Sequence, residues 1–143
     1  MLTLNFKGKD KDVKFDYASF FRANKFFSTK NPETNASNND GAGSIWVSLV
    51  TGDDSAIFNA VSSLLPAKAT EDEVVETINK YDGDISEDLK EELQESSFFK
   101  NAAKRWMKFT EMFVGGKKAE TENDKMELKV MKNTLEEVKQ SLS

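Results

Sequence analysis

The hydrophobic period of this chain changes from two residues to a helical one within residues 1–27, MLTLNFKGKDKDVKFDYASFFRANKFF, with no linker between the two regimes. Leu2, Leu4 and Phe6 alternate with Thr3 and Asn5. After a turn around Gly8, Val13 and Phe15 alternate with Asp12, Lys14 and Asp16. This pattern predicts two short half-buried strands joined as a hairpin. Tyr17, Phe20, Phe21 and Asn24 then fall near one side of a helix. A lone hairpin is marginal in water and needs a cover, for which the aromatic helix that follows is the nearest candidate.

The chain has 143 residues, enough for one ordinary core and too few for two comfortable domains. Hydrophobic residues make up 38% against 31% charged, and no apolar run approaches a bilayer span, so a soluble protein is expected with no membrane partner. Residues 2–6 alternate and are followed by lysines and aspartates, unlike a secretory signal, and there is no cysteine. An intracellular protein is therefore the default expectation. The sequence also contains no histidine, which removes nucleophilic triads and most zinc sites at once. Chemistry based on carboxylates or lysine alone stays open, and no catalytic, cofactor-binding or metal-binding residues are assigned.

The net charge of −5 is unevenly distributed. Residues 1–31 sum to +4, residues 32–98 to −12, residues 99–118 to +5 and residues 119–143 to −2. The blocks read either as ordinary solvated helix faces or as complementary surfaces that set register within or between copies. A sequence pI near 4.9, with no sustained basic face bearing aromatics, argues against a nucleic-acid partner.

Residues 31–43, NPETNASNNDGAG, hold almost nothing that could be buried and read as a mobile loop. The Asn35-Ala36-Ser37 sequon is read as chance. Residues 44–50 are a short apolar run, strand or helix by periodicity alone. Asp53 or Asp54 can cap a helix carrying Ile57, Phe58, Val61, Leu64 and Leu65, ended by Pro66. Thr70 and Glu73 make a capping box for a helix through Val74, Val75, Ile78 and Tyr81. Asp82-Gly83-Asp84 is read as a turn, because an EF-hand loop has its Gly sixth and a Glu twelfth.

Ser86 can cap a long helix over residues 87–113, acidic at its start and basic later. Its first half has a narrow stripe, Leu89 and Leu93. Its second half carries two apolar rows, Phe99, Ala103, Trp106 and Phe113 beside Phe98, Phe109 and Met112. Such width means burial on two sides, or one side reserved for another chain. Gly115-Gly116 reads as a hinge. Beyond it, Leu128, Met131, Leu135, Val138 and Leu142 form a seam spaced 3, 4, 3 and 4, which must pack back on the body or associate with another helix. The predicted fold is α+β, mainly α. A hairpin packs on a compact bundle of about five helices over residues 1–113, and a hinge and C-terminal amphipathic helix occupy residues 114–143.

The order of LTLNFKGKDKDVKF, DYASFFRANK, LVTGDDSAIFNAVSSLLPA, TEDEVVETINKY and ELQESSFFKNAAKRWMKF resembles the tail assembly chaperones of long-tailed bacteriophages, or prophages, of Gram-positive bacteria. The resemblance covers about residues 1–113, with residues 31–43 as a local elaboration, and it rests on the order of spacing patterns and turns. It implies a non-catalytic chaperone in viral morphogenesis that acts in the host bacterial cytoplasm. Many copies would coat the long helical tape measure protein and leave as major tail protein polymerises, so the chaperone is not expected in the mature virion. It also implies a frameshifted longer form that engages major tail protein. A holdase of this kind needs no cofactor. It does need adaptable apolar surface, net charge and self-association. Phe98, Phe99, Trp106, Phe109, Met112 and Phe113 are the candidate client or subunit contact. Phe26, Leu128, Met131, Leu135, Val138 and Leu142 are the candidates for self-association into a homo-oligomer. Two other classes stay open: an acidic cytoplasmic adaptor that binds one helical partner, and a structural subunit of the tail.

Overall fold

A computed structural model describes residues 2–143, and in it the N-terminal alternation forms an antiparallel hairpin. Strand β1 (Leu2–Phe6) pairs with β2 (Lys9–Val13), with Leu2 opposite Val13 and Phe6 opposite Lys9. Lys7 and Gly8 turn the chain with φ of 54° and 82°, the two positive angles that a type I′ connection requires. Leu2, Leu4 and Phe6 are buried, while Lys9 to Asp12 face solvent.

Seven helices follow among the described residues: α1 (Tyr17–Phe27), α2 (Gly41–Val50), α3 (Ala56–Leu64), α4 (Glu71–Asn79), α5 (Ile85–Gln94), α6 (Ser97–Gly116) and α7 (Glu122–Leu142). The class is α+β and mainly α, as the patterns imply. Among these helices none is long and apolar enough to cross a membrane.

Four local expectations are corrected. The apolar face of the hairpin is covered by α4 and α5, not by α1. On α1 the buried residues are Ser19 and Ala23, and Tyr17 and Phe21 are left exposed. The loop expected over 31–43 ends early, because Gly41, Ala42 and Gly43 are buried in the first turn of α2. The single helix expected over 87–113 is two. Ser86 lies inside α5, which Asp84 caps by accepting from the Glu87 N–H at 3.2 Å. Ser96 then starts a new helix by accepting from the Phe99 N–H at 3.2 Å, a local bond that competes with continuing the old one. Finally, Gly115 and Gly116 are the last two residues of α6 rather than a linker.

Helix α2 is the centre of the molecule. It packs on α1, α3, α5, α6 and α7, which is why it is apolar on nearly every side. Trp46 is fully buried, and its Nε1–H donates to Ser141 Oγ at 2.8 Å, whose hydroxyl donates onward to the Val138 carbonyl at 2.6 Å. Gln94 Nε2 donates to the Ser141 carbonyl at 2.8 Å. These bonds pin the end of α7 to α2 and α5, and Val138 joins the common core.

Tyr81, just past α4, donates its phenol to Asp88 of α5. Burial first, and then that hydrogen bond and the Asp88 charge, push the phenol up to about 12. An acid that ionises above its unfolded value near ~10 keeps its proton longer in the folded state. The stabilisation is therefore complete below about pH 10 and is lost as pH rises toward 12. Urea midpoints should fall across that alkaline window in the native chain. In Tyr81→Phe this component of the fall should be absent.

Candidate interaction surface

Because a helix turns 100° per residue, the neighbours Phe98 and Phe99 of α6 meet different surroundings. Phe99 is fully buried with Ala103, its ring 4.8 Å from Phe15 and 6.2 Å from Phe20 between centroids. Phe98 is exposed and contacts Phe20 at 5.9 Å and Tyr17 at 5.2 Å. The rings form a continuous ladder from the core to the surface. At its outer end is a groove of about 800 Å³, walled by Phe20 and Asn24 of α1, residues 37–40, and Phe98, Asn101, Ala102, Arg105, Trp106 and Phe109 of α6.

The loop wall is built by side chains standing in for regular structure. Both carboxylate oxygens of Asp40 are occupied by Thr29, through its N–H at 2.7 Å and its hydroxyl at 2.6 Å. Asn38 Nδ2 donates to the same Thr29 hydroxyl at 2.8 Å. The start of α2 has no side-chain cap of its own. Instead the end of α1 supplies the acceptors, Oγ of Ser28, the residue that closes the helix, for the Gly41 N–H and Asn24 Oδ1 for the Ala42 N–H, both at 2.9 Å. The groove therefore rests on two helices locked to each other.

Past the groove α6 continues with Phe109, Met112 and Phe113 exposed at 62%, 68% and 53%. Cations border these rings. The Arg105 guanidinium lies 5.8 Å from the Phe109 centroid, and Lys117 Nζ lies 5.6 Å from that of Phe113. The bond from Lys117 to Glu127, 2.6 Å long, raises the lysine above its ordinary value and ties the α6 end to α7.

Of the six expected contact residues, the structure brings Phe98, Trp106 and Phe109 to the groove, leaves Met112 and Phe113 exposed near the end of α6, and puts Phe99 in the core. That last placement is a correction, since Phe99 is sealed from any partner. Phe26 is exposed on α1 with Lys25 Nζ 5.5 Å from its ring centroid. The seam of α7 is turned onto the chain's own body: Leu128, Met131, Leu135 and Leu142 are half-buried and Val138 fully so. Phe20, Asn24, Arg105 and residues 37–40 were not anticipated. Arg105 stands in the basic run beside Trp106, which was a usable signal, whereas the polar loop carried none.

Comparison with known protein families, with curated proteins and with solved structures finds no match.

Proposed function

We propose that this chain is a non-catalytic tail assembly chaperone of a long-tailed bacteriophage or prophage of Gram-positive bacteria. It binds the tape measure protein in the host bacterial cytoplasm, keeps it soluble and is displaced as major tail protein polymerises. The observation that carries the reading is the outer half of α6. There Phe98, Trp106, Phe109, Met112 and Phe113 line or extend a groove, while Phe99 and Ala103 on the adjoining face anchor the same helix in the core. A rigid helix that presents flexible methionine and flat aromatic surface suits a client with many similar but unequal segments. Basic side chains along that surface keep the bare apolar patch from self-collapse.

Several copies acting on one long client fit the homo-oligomeric behaviour of the family it resembles. A frameshifted longer form engaging major tail protein belongs to the same proposal. Co-expression with a candidate client, a long and mostly helical tape measure protein, tests the reading. The soluble fraction of that client should rise several-fold in the presence of this chain, and an unchanged fraction would defeat the proposal. Mass spectrometry of purified particles should detect no copy of it. A stoichiometric amount there would identify a structural subunit instead.

A further inference from the structure

Positive charge at the rim of the α1–α6 groove has no carboxylate partner. Among the described residues no ion pair engages Lys104, Arg105 or Lys108. Arg105 lines the groove itself, and Lys104 and Lys108 each sit one helical turn beyond a lining residue, Asn101 and Arg105. The only acid in the lining is Asp40, whose two oxygens are already bonded to Thr29. Arg105 in the lining, with the exposed Lys104 and Lys108 further round the same helix, against one engaged carboxylate gives the groove a positive bias that attracts acidic side chains.

The floor is shaped for a helix. Phe98, Ala102, Trp106 and Phe109 follow one another at four, four and three residues, which makes a ridge with a gap at Ala102 between two large rings. A ridge spaced this way accepts side chains that recur every three to four residues on a facing helix. Phe109 lies eleven positions after Phe98 on α6, roughly 17 Å at about 1.5 Å per step, so about three turns of a partner fit along it. No lining residue belongs to a strand that could add an extended peptide by backbone pairing.

A second copy of the chain is poorly equipped to fill this groove. Its acidic helices are α4 and α5, whose apolar residues Val74, Leu89 and Leu93 are buried, leaving Val75 as the large exposed apolar residue on either helix. The seam of α7 is likewise turned inward, and the outer face of that helix exposes two large apolar side chains, Met126 and Val130, one turn apart, too short a row for a ridge of about three turns. We infer that the groove between α1 and α6 takes an amphipathic helix of a foreign protein, with apolar residues every three to four positions and aspartate or glutamate along its flanks. The inference rests on the chaperone reading only in supplying the ligand chemistry of that contact.

The probes are two synthetic peptides of about 15 residues with the same leucine spacing, one with glutamate flanks and one with lysine flanks, added to the full chain. Trp106 lines the groove, while Trp46 is sealed in the core, so intrinsic fluorescence reports occupancy through Trp106. The glutamate peptide should shift the emission, and Trp106→Phe should abolish that shift. The lysine peptide should bind about tenfold or more weakly, and added salt should erode the difference. Phe109→Ala should weaken the glutamate peptide about tenfold or more, as removal of an aromatic anchor does. Lys104→Glu with Lys108→Glu should reverse the preference between peptides. Equal binding of both peptides, or binding of neither, overturns the inference. So does a Trp106 signal that rises with protein concentration alone and disappears in Phe109→Asp, because the occupant is then a second copy. Failure of the chaperone reading is distinguishable: the glutamate peptide would bind while the co-expressed client stayed insoluble.

Discussion

Gly41→Ala is expected to lower stability by roughly 3 kcal/mol or more, the upper end of what overpacking costs. A Cβ at position 41 would stand 2.1 Å from the Ala23 carbonyl oxygen, 2.8 Å from its carbon and 3.1 Å from the Phe27 carbonyl carbon. All three are backbone atoms of α1, so no rotamer change gives relief and the helix itself has to move. That motion pulls against bonds that hold α1 in place: Ser28 to the Gly41 N–H and Asn24 to the Ala42 N–H of α2, and Arg22 Nε to the Ser63 carbonyl of α3 at 2.8 Å. Separation would leave buried donors unsatisfied as well as voids. Gly115→Ala is the matched control, for it is also helical yet has nothing within 4 Å of the added carbon. It should gain about 0.5–1 kcal/mol through reduced backbone freedom in the unfolded chain. Urea unfolding followed by circular dichroism measures both, and a mild effect at position 41 would contradict the α1–α2 approach described above.

That same glycine explains why the centre of the fold was hidden in the sequence. A glycine that permits close helix approach is indistinguishable, in one sequence, from a glycine that ends a helix or makes a loop. Asn-Asn-Asp-Gly-Ala-Gly thus reads as loop although its last three residues begin the most buried helix. Local signals fared better where the physics is local. The period-two hairpin formed, and both capping-box bonds between Thr70 and Glu73 formed, at 2.9 and 3.2 Å. Competing caps were not separable, because Asp84 and Ser86 are both good acceptors two residues apart. Asp53 bonds to the Ser55 N–H and hydroxyl in the turn before α3 and does not cap it. The break at Ser96 was masked because apolar residues on both sides keep helical spacing.

At the interaction surface the sequence carried the girth of the aromatic helix but not its orientation. Two adjacent apolar rows are equally good core, and the choice between them belongs to distant residues. Phe15, just past β2, is buried against the Phe99 ring, and Gly43 lets α2 approach α6, since a Cβ there would come within 3.0 Å of the Ala102 carbonyl. The inward turn of α7 is settled the same way. Trp46 needs a partner for its indole N–H, and Ser141 supplies one from 95 residues away in sequence.

The division between core row and surface row predicts two opposite outcomes on one helix. Phe99→Ala should cost about 3–5 kcal/mol, because it empties a fully enclosed site and removes the ring that holds Phe15 and Phe20 together. In a domain of ordinary stability that is a large fraction of the total, and its thermal transition should fall by tens of degrees or disappear. Phe109→Ala, at 62% exposure, should change stability by no more than about 0.5 kcal/mol while weakening the partner contact. Trp106 belongs to both rows, lining the groove and packing on the core, so Trp106→Ala should lose some stability along with binding. The comparison is decisive because all three positions share one helix and one kind of side chain. Measured by urea unfolding and by partner binding on the same samples, Phe99 and Phe109 must separate along different axes. If Phe109→Ala unfolds the chain as Phe99→Ala does, the outer row is structural, and the free face for a partner shrinks to Met112 and Phe113 at the end of α6.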